Sequence, residues 1–266
     1  MVSKHAKIGQ NTVIRENVIV EDNVVIGDNC YLDYGCIIRS GVVLGDNSYI
    51  GPYCILGELQ MDFHNNRAEQ PIHTLNIGKN ALIRSHTIIY GGSTFEDGLQ
   101  TGHHVSIRED TKSGCNLRVG TLTDIQGDCE IGDYVNLHSN VFIPKYTKLG
   151  SYVWVFPHAV FTNDPTPPSE RQIGCTVGDY SSVAAGAILT PGLTIGKNSF
   201  ISAGAVVTKD LPENMFAIGH AAKIKGDASM IKNPENGEAA YPWPPRFDRY
   251  MPWAEIGFDA WEGNNK

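Results

Sequence analysis

The 266-residue sequence lacks long hydrophobic runs. Its longest apolar stretches, such as residues 183–189, fall far short of the roughly 18 residues that cross a bilayer. The first ten residues contain no apolar core of the kind that a signal peptide needs. We therefore expect a cytoplasmic protein without a membrane span.

Basic residues and cysteine pairs are also scarce. Lys and Arg number 21 against 29 Asp and Glu, which gives a formal net charge of -8. Nucleic acid is therefore not an expected partner, because binding to phosphates depends on clustered Lys and Arg. No CxxC pair occurs among the six cysteines, so the cysteines indicate neither a zinc site nor a disulfide framework.

An aliphatic residue recurs at every sixth position of the chain. The register runs from residue 8 to 56, from 77 to 161 and from 177 to 207, and of its thirty anchor positions only Thr101 and Ser113 are not apolar. A second residue, usually small or branched, follows four places after each anchor, and Gly, Asn or Asp often lies between them. This pattern is typical of a parallel β-helix built from hexapeptides.

In such a β-helix each anchor points inward from a short strand, and Gly, Asn and Asp turn the corners because they tolerate a positive φ. Three strands and three corners close one coil of about 18 residues, so thirty strands predict an all-β fold of about ten coils. We expect the β-helix in residues 1–211, with loop insertions at residues 58–76 and 165–176. Residues 212–266 are expected to form a short irregular or helical C-terminal extension.

The register also predicts where the cysteines and the aromatic tail lie. Cysteines at the small inward position are expected to be buried: Cys30, Cys36, Cys54 and Cys129. Cys115, at a corner, and Cys175, in a loop, are expected to be accessible. The tail holds three of the four tryptophans and has three interpretations: it caps the open end of the prism, packs on a neighbouring subunit, or forms a wall for a nucleotide or cofactor base.

Residues 18 apart are expected to stack in columns along the corners of the prism. One corner collects five of the nine histidines: His86, His104 and His158 in one column, His103 in the next, and His138 beside them. Histidine is not a favoured turn residue, so this column indicates a functional site. A second corner collects polar residues that are also ordinary turn formers: Glu109, Asp110, Asp128, Asn163 and Asp164.

The sequence resembles the hexapeptide-repeat acyltransferases, and within them the branch that acylates amino groups of nucleotide sugars. The resemblance covers roughly residues 8–225 and rests on the register, on TGHHVSIRED and on VVTKDLPENMFAIGHAAKIKG. It implies a left-handed β-helix, a homotrimer with the active site between neighbouring prisms, acyl-CoA (most simply acetyl-CoA) as co-substrate and a nucleotide-linked amino sugar as acceptor. The segment GHAAK and the long aromatic tail depart from the family pattern.

The resemblance also implies a catalytic residue. Related enzymes place a catalytic histidine two positions after an anchor, and His103 follows Thr101 at that spacing. Imidazole can accept a proton from an attacking amine near neutral pH. His104 is the competing choice, and Glu109 could orient the imidazole or bind the sugar amine. Alternatively, the proton passes directly to the leaving thiolate and His103 only positions the substrate.

Substrate contacts are expected on the histidine corner and in the two loops. The candidates are Ser85, His86, His138 and Asn140 at the corner, Asn65 and Arg67 in the first loop, and Asn163 and Asp164 in the second. The first loop interrupts the register one coil before His86, so we expect it on the sugar-nucleotide side of that corner.

Acyl-CoA contacts are expected in the last coils. Small corner residues there would expose backbone amides to a pantetheine arm: Ala185, Gly186, Ala203 and Gly204. Lys209 and Lys223 are candidates for its phosphates.

Two other function classes remain open. Zinc enzymes resembling the γ-class carbonic anhydrases use corner histidines from two subunits on the same fold. They place two ligands five residues apart, and no pair of histidines here has that spacing, so no metal is expected. A non-catalytic scaffold would leave the histidine corner and both loops unexplained. The zinc content of the purified protein would distinguish the zinc enzyme from the acyltransferase.

Overall fold

The fold is described from a computed structural model, which covers residues 1–64, 67, 71–232 and 236–265. Three parallel sheets form the faces of a left-handed β-helix, which confirms the expected architecture. Successive strands move from face 1 to face 2, then to face 3, and each strand pairs with the strand one coil later.

The strands of face 1 are β1 (Lys7–Ile8), β4 (Val25–Ile26), β7 (Val42–Leu44), β10 (Leu75–Ile77), β13 (Thr94–Phe95), β16 (Lys112–Ser113), β19 (Glu130–Ile131), β22 (Lys148–Leu149), β25 (Thr176–Val177) and β28 (Thr194–Ile195). The strands of face 2 are β2 (Val13–Ile14), β5 (Tyr31–Leu32), β8 (Tyr49–Ile50), β11 (Leu82–Ile83), β14 (Gln100–Thr101), β17 (Arg118–Val119), β20 (Asn136–Leu137), β23 (Trp154–Val155), β26 (Ser182–Val183), β29 (Phe200–Ile201), β31 (Met215–Ile218) and β32 (Lys223–Asp227).

The strands of face 3 are β3 (Ile19–Val20), β6 (Ile37–Ile38), β9 (Ile55–Glu58), β12 (Ile88–Tyr90), β15 (Ser106–Ile107), β18 (Asp124–Ile125), β21 (Phe142–Ile143), β24 (Val160–Phe161), β27 (Ile188–Leu189) and β30 (Val206–Val207). Short 3-10 helices occupy Met61–His64, Ala228–Met230 and Pro244–Arg246, and one α-helix, α1, spans Phe258–Asn264. Within the described residues, no helix has the length and apolar character that crossing a membrane requires.

The hexapeptide register matches the strands at every anchor. Each of β1 to β30 contains its anchor, and pairing joins residues 18 apart, as in Ile107↔Ile125. The anchors point into a narrow core, where Phe95 and Phe161 are among the largest fully buried side chains. Asparagine turns many corners with a positive φ, as at Asn29 (φ 54°), where a side chain tolerates the left-handed region at low cost.

The corners connect the faces in a fixed order. The first corner joins face 1 to face 2, the second corner joins face 2 to face 3, and the third corner joins face 3 back to face 1. Neighbouring coils approach closely at the second corner, where a Cβ added to Gly120 would collide with the backbone of His138 and Ser139. Only glycine fits there without moving the next coil.

The coil continues one turn beyond the expected end at Leu211. Leu211 itself bridges to Ile195 on face 1, β31 pairs in parallel with β29 on face 2, and His220 bridges to Val206 on face 3. Main-chain pairing continues here without the hexapeptide pattern because a ladder needs backbone groups, not particular side chains. The strand β32 then runs antiparallel to β31 and ends this sheet.

The cysteine predictions are confirmed at four inward positions, where Cys30, Cys36, Cys54 and Cys129 are buried. Cys115 is half-buried at a corner. The expectation of an accessible Cys175 is wrong: it is fully buried, and its Sγ lies 3.2 Å from the carbonyl oxygen of Thr190. The chain regains the inward position two residues before the anchor Val177, so Cys175 belongs to the core and not to the loop.

The aromatic tail packs on the side of the prism. Trp243, Met251 and Trp253 form a second buried cluster with Trp154 of β23, and this cluster is separate from the core inside the coils. A stack of tyrosines along the first corner, which includes Tyr152, supports it. The tail therefore covers face 2 and the first corner and does not cap the open end.

Candidate active site

The histidine column lies on the second corner, and three of its members have a structural explanation. His86, His104 and His158 occupy the left-handed corner position, with φ of 60°, 54° and 62°. Histidine is enriched in this region among residues other than glycine. The His86 ring stacks on Tyr53 below it at 5.3 Å and on His104 above it at 4.7 Å, as expected for residues in one column. These contacts account for the column without requiring chemistry.

His103 has a different environment. It precedes the left-handed position, its side chain is exposed, and its Nδ1 lies 2.7 Å from Oγ of Ser85, 18 residues earlier. The backbone N–H of His103 donates to Oγ1 of Thr121 at 3.2 Å. The hydroxyl of Ser85 thus orients the imidazole, and Nε2 is the remaining ring nitrogen for an external partner.

The structure does not bring Glu109 to His103. Glu109 lies at the third corner, 6% exposed, and its carboxylate pairs with Arg108 at 2.9 Å and with Lys145 at 3.4 Å. Lys145 also holds Asp128 at 2.9 Å. The five residues between His103 and Glu109 carry the chain across face 3 to the next corner, so nearness in sequence does not bring the two side chains together.

A cleft of about 360 Å³ opens on face 2, between the second corner and the tail. We call it the face-2 cleft, and its lining residues are Arg84, Gln100, Thr101, Gly102, Arg118, Val119, Gly120, Asn136, Leu137, His138, Ser139, Trp154, Arg249 and Tyr250. None of these residues is acidic. The cleft spans the coils from β11 to β23, so it lies on the same coils as His103.

Arg118 lies at the centre of the face-2 cleft. Its Nη2 donates to Oε1 of Gln100 at 2.7 Å, and its guanidinium carbon lies 3.7 Å from the centroid of the Tyr250 ring. Burial lowers the pKa of Arg118 below its ordinary value, and the charges of Arg249 and Arg84 act in the same direction while Tyr250 opposes them. The group remains a cation, since an arginine in a protein keeps its charge.

His138 lines the face-2 cleft and is half-buried there. Its ring stacks on Phe156 at 4.9 Å and lies 5.8 Å from the ring of Trp154. Burial lowers the pKa of His138, and the charge of Arg249 lowers it further. His138 is therefore a neutral imidazole near pH 7, able to donate one hydrogen bond and accept another.

The small residues expected to contact acyl-CoA continue the same corner. Gly186 and Gly204 have φ of 68° and 66°, and a Cβ added to Gly204 would meet nothing within 4 Å, so this surface is open. The expectation of free amides is wrong at both glycines, because Gly186 N–H donates to Pro157 and Gly204 N–H donates to Ala185 in the ladder between coils. Lys209 and Lys223 are exposed beyond them.

Both insertions lie at the third corner, because each leaves face 3 and re-enters at face 1. The expected place of the first loop, beside the histidine corner, is therefore wrong; Gln60 holds it to the carbonyl of Gly91 at 3.1 Å. Asn65 lies outside the described residues, and the guanidinium of Arg67 lies 5.9 Å from the ring of Phe63.

The second loop is organised by its own contacts. Asp164 accepts hydrogen bonds from the backbone of Thr166 and Ser169 and from the Ser169 hydroxyl, and these lower its pKa. The carbonyl of Asn163 accepts from Ile173 N–H at 2.7 Å. Asn140, by contrast, stands exposed on the histidine corner with φ of 58°.

Sequence reasoning missed the arginines of the face-2 cleft. One signal was available: Gln100, Arg118 and Asn136 occupy the outward position of successive face-2 strands and form a polar column 18 residues apart. The approach of Arg249 and Tyr250 had no such signal, because the tail has no period.

Comparisons with known proteins identify the repeat in the first part of the chain. The family model described as bacterial transferase hexapeptide (six repeats) matches residues 5–40 and 23–58. Among solved structures, the UDP-N-acetylglucosamine acyltransferase of Campylobacter jejuni is 19% identical, with 86% of this chain and 73% of that chain covered and a TM-score of 0.49. The corresponding enzyme of Bacteroides fragilis is 20% identical over 85% and 72% of the two chains, with a TM-score of 0.45.

A mutant of perosamine N-acetyltransferase from Caulobacter crescentus, in complex with CoA and GDP-perosamine, is 25% identical over 53% of this chain and 57% of that chain, with a TM-score of 0.27. In the described part of the chain, no three or more His, Cys, Asp or Glu side chains are grouped to hold a metal ion. The first three coils of this β-helix therefore carry the bacterial transferase hexapeptide repeat.

Proposed function

We propose that the protein transfers an acyl group, most simply acetyl, from acyl-CoA to the amino group of a nucleotide-linked amino sugar. One observation carries this proposal: an exposed imidazole, His103, is oriented by Ser85 at 2.7 Å on the coils that also form a cationic cleft. A base beside a site for anions suits an amine acceptor that is attached to phosphates. The match of the first coils to a transferase repeat supports the same reaction class.

The proposed reaction forms one bond and breaks another. The amine nitrogen attacks the thioester carbonyl, and Nε2 of His103 takes the proton that the nitrogen loses. The C–N bond forms, the C–S bond breaks, and the proton passes from His103 to the departing thiolate, which leaves as CoA. His104 is not the proposed base, because its ring is stacked on His86 in the column.

The thioester arm is proposed to lie along the second corner. The Ala185 and Gly186 corner is four coils beyond His103, about 19 Å at the usual spacing between strands. The open surface at Gly204 admits an extended arm against the backbone. Ala203 lies at the same corner, and Lys209 and Lys223 are proposed to meet the phosphates of CoA.

The acceptor is proposed to bind Ser85, His86, His138 and Asn140 on the histidine corner. The third-corner candidates Glu109, Arg67, Asn163 and Asp164 can reach this corner only from another subunit. Their proposed roles therefore depend on a homotrimer in which the third corner of one prism faces the second corner of the next. Asn65 stays a candidate outside the described residues.

The test is release of CoA from acetyl-CoA in the presence of a panel of nucleotide-linked amino sugars. With His103→Ala we expect kcat to fall roughly 10²- to 10⁴-fold, the usual contribution of a general base. Ser85→Ala removes one neutral hydrogen bond and should cost about 2- to 12-fold. His104→Ala is the matched control on the same corner and should retain most of the activity.

Two outcomes would contradict this account. Near-normal turnover in both histidine variants would replace the general base with direct proton transfer to the thiolate. Absence of CoA release with every amino-sugar nucleotide would refute the proposed reaction itself.

A further inference from the structure

We propose that the face-2 cleft binds the diphosphate group of an organic ligand, with the guanidinium groups of Arg84, Arg118 and Arg249 as its anion contacts. The inference rests on the proposed function, since both proposed substrates, the nucleotide sugar and CoA, contain a diphosphate. It adds a site at which the C-terminal tail supplies part of the binding surface.

The first argument is charge. Three guanidinium groups line the cleft without any acidic lining residue, and none of the three has a carboxylate within 4.0 Å among the residues that the structure describes. Arg118 is moreover half-buried beside the other two. Gathering unpaired cations in a partly buried cleft is unfavourable unless an anion neutralises them. Arginine forks bind phosphate oxygens through paired hydrogen bonds, so phosphate is the anion that they suit.

The second argument is preorganisation. Arg118 is already held from two sides, by the hydrogen bond to Gln100 at 2.7 Å and by the Tyr250 ring at 3.7 Å. A guanidinium fixed in this way loses little freedom when an anion binds. An arginine that served only solubility would be exposed and mobile, and would not be half-buried and held by two contacts.

The third argument concerns the indole N–H groups where the tail packs on β23. The indole N–H groups of Trp243 and Trp253 donate to the carbonyls of Tyr180 at 2.8 Å and Phe247 at 3.0 Å. Trp154, which lines the cleft, is 6% exposed, and its buried Nε1 has no hydrogen-bond partner within the described chain. An unpaired buried donor is costly. The surface between the tail and β23 therefore holds one unsatisfied donor, and it belongs to a residue that lines the face-2 cleft.

The fourth argument is size and chemistry. A volume of about 360 Å³ falls within the roughly 300–1,000 Å³ of small-molecule sites. Ser139 and the neutral His138 line the side nearest the histidine corner, and Asn136 lies in the column of Arg118. They supply hydrogen bonds for a sugar or base, next to the arginines that would hold the phosphates.

The experiment measures binding to the full chain by calorimetry, with UDP, CoA and inorganic pyrophosphate as separate probes. Arg249→Gln removes an exposed cation of the tail and should weaken diphosphate binding about tenfold to hundredfold, the range for hydrogen bonds to charged groups. Arg118→Gln should do the same. Arg246→Gln is the matched control, because Arg246 is exposed on the same tail, contacts the Pro242 carbonyl and does not line the cleft.

Each probe identifies a source of the diphosphate. Weaker UDP binding with unchanged CoA binding in Arg249→Gln assigns the cleft to the nucleotide sugar, and the reverse assigns it to CoA. Both results support the site. If each probe binds Arg249→Gln and Arg118→Gln with the same affinity as it binds the wild type, the proposed site is overturned. Absence of binding of every probe to the wild type would overturn it too.

The design also separates this inference from the proposed function. If Arg249→Gln weakens UDP binding while the wild type releases no CoA with any acceptor, the site stands and the reaction is wrong. If the wild type turns over and Arg249→Gln has an unchanged KM for both substrates, the reaction stands and the site is wrong.

Discussion

The aromatic tail provides a sharp test of how the cleft is built. Trp253 is 1% exposed, although it lies in a segment without periodic structure. Its ring contacts Tyr152 of the first corner and Trp243 and Phe258 of the tail. Its Nε1 donates to the carbonyl of Phe247. Trp253→Ala should therefore release the tail from the prism.

The magnitude follows from burial. A buried aromatic side chain covers about 150–250 Å², and truncation of a buried Trp to Ala costs about 3–5 kcal/mol. That cost corresponds to an increase of roughly two to four orders of magnitude in the population of the open tail. The coils should keep their own stability, because the core inside them is a separate cluster from the tail.

Limited digestion with trypsin measures the opening directly, since cleavage after Arg246 and Arg249 reports an accessible tail. Trypsin should cleave Trp253→Ala faster than the wild type, by up to the increase in the population of the open tail. The increase is smaller if the tail is already open most of the time in the variant. Thermal unfolding followed by far-ultraviolet circular dichroism should be nearly unchanged. UDP binding should weaken as in Arg249→Gln, because the open tail removes that side of the face-2 cleft.

Ile256→Ala is the matched control, since Ile256 is 53% exposed in the same segment and its truncation should change little. Wild-type cleavage rates in Trp253→Ala would refute the argument that this ring holds the tail. A large loss of thermal stability with no change in cleavage would refute the separation of the two clusters.

Two further predictions concern acid stability and assembly. Because burial and Arg249 lower the pKa of His138, the unfolded chain binds more protons below about pH 6.5, so stability should fall as the pH falls through that value. His138→Gln should reduce this fall in the urea midpoint measured from pH 7 to pH 5, and an equal fall in both proteins would contradict the assignment. Light scattering at micromolar concentration should give the mass of a homotrimer; the mass of a monomer would remove the proposed shared groove.

The periodic part of the chain could be predicted almost residue by residue. An 18-residue spacing determines which side chains stack, because every coil hydrogen-bonds to the next in the same register. The contact of Ser85 with His103 and the stacking of His86 on His104 both follow from that spacing. Cys175 is an exception, because the inward position that it occupies comes two residues before the first recognisable anchor, Val177.

The meaning of the corner residues was less predictable. The spacing of the histidine column indicates a functional site, yet His104 occupies a left-handed position that histidine tolerates. The backbone φ of a residue depends on its position within the corner. That position can be assigned only when the ends of the flanking strands are known. Glu109 is near His103 in sequence, but one strand separates their corners, so nearness along the chain does not predict a contact.

The sequence by itself determined the coil, its faces and the columns of each corner, because a repeated backbone ladder converts spacing directly into position. Only the tertiary structure decided where the insertions and the tail lie. Arg249 meets Arg118 because aromatic side chains of the tail fit against Trp154 and the tyrosines of the first corner. Such packing depends on complementary shapes of segments far apart in the chain, and no period in the sequence records it.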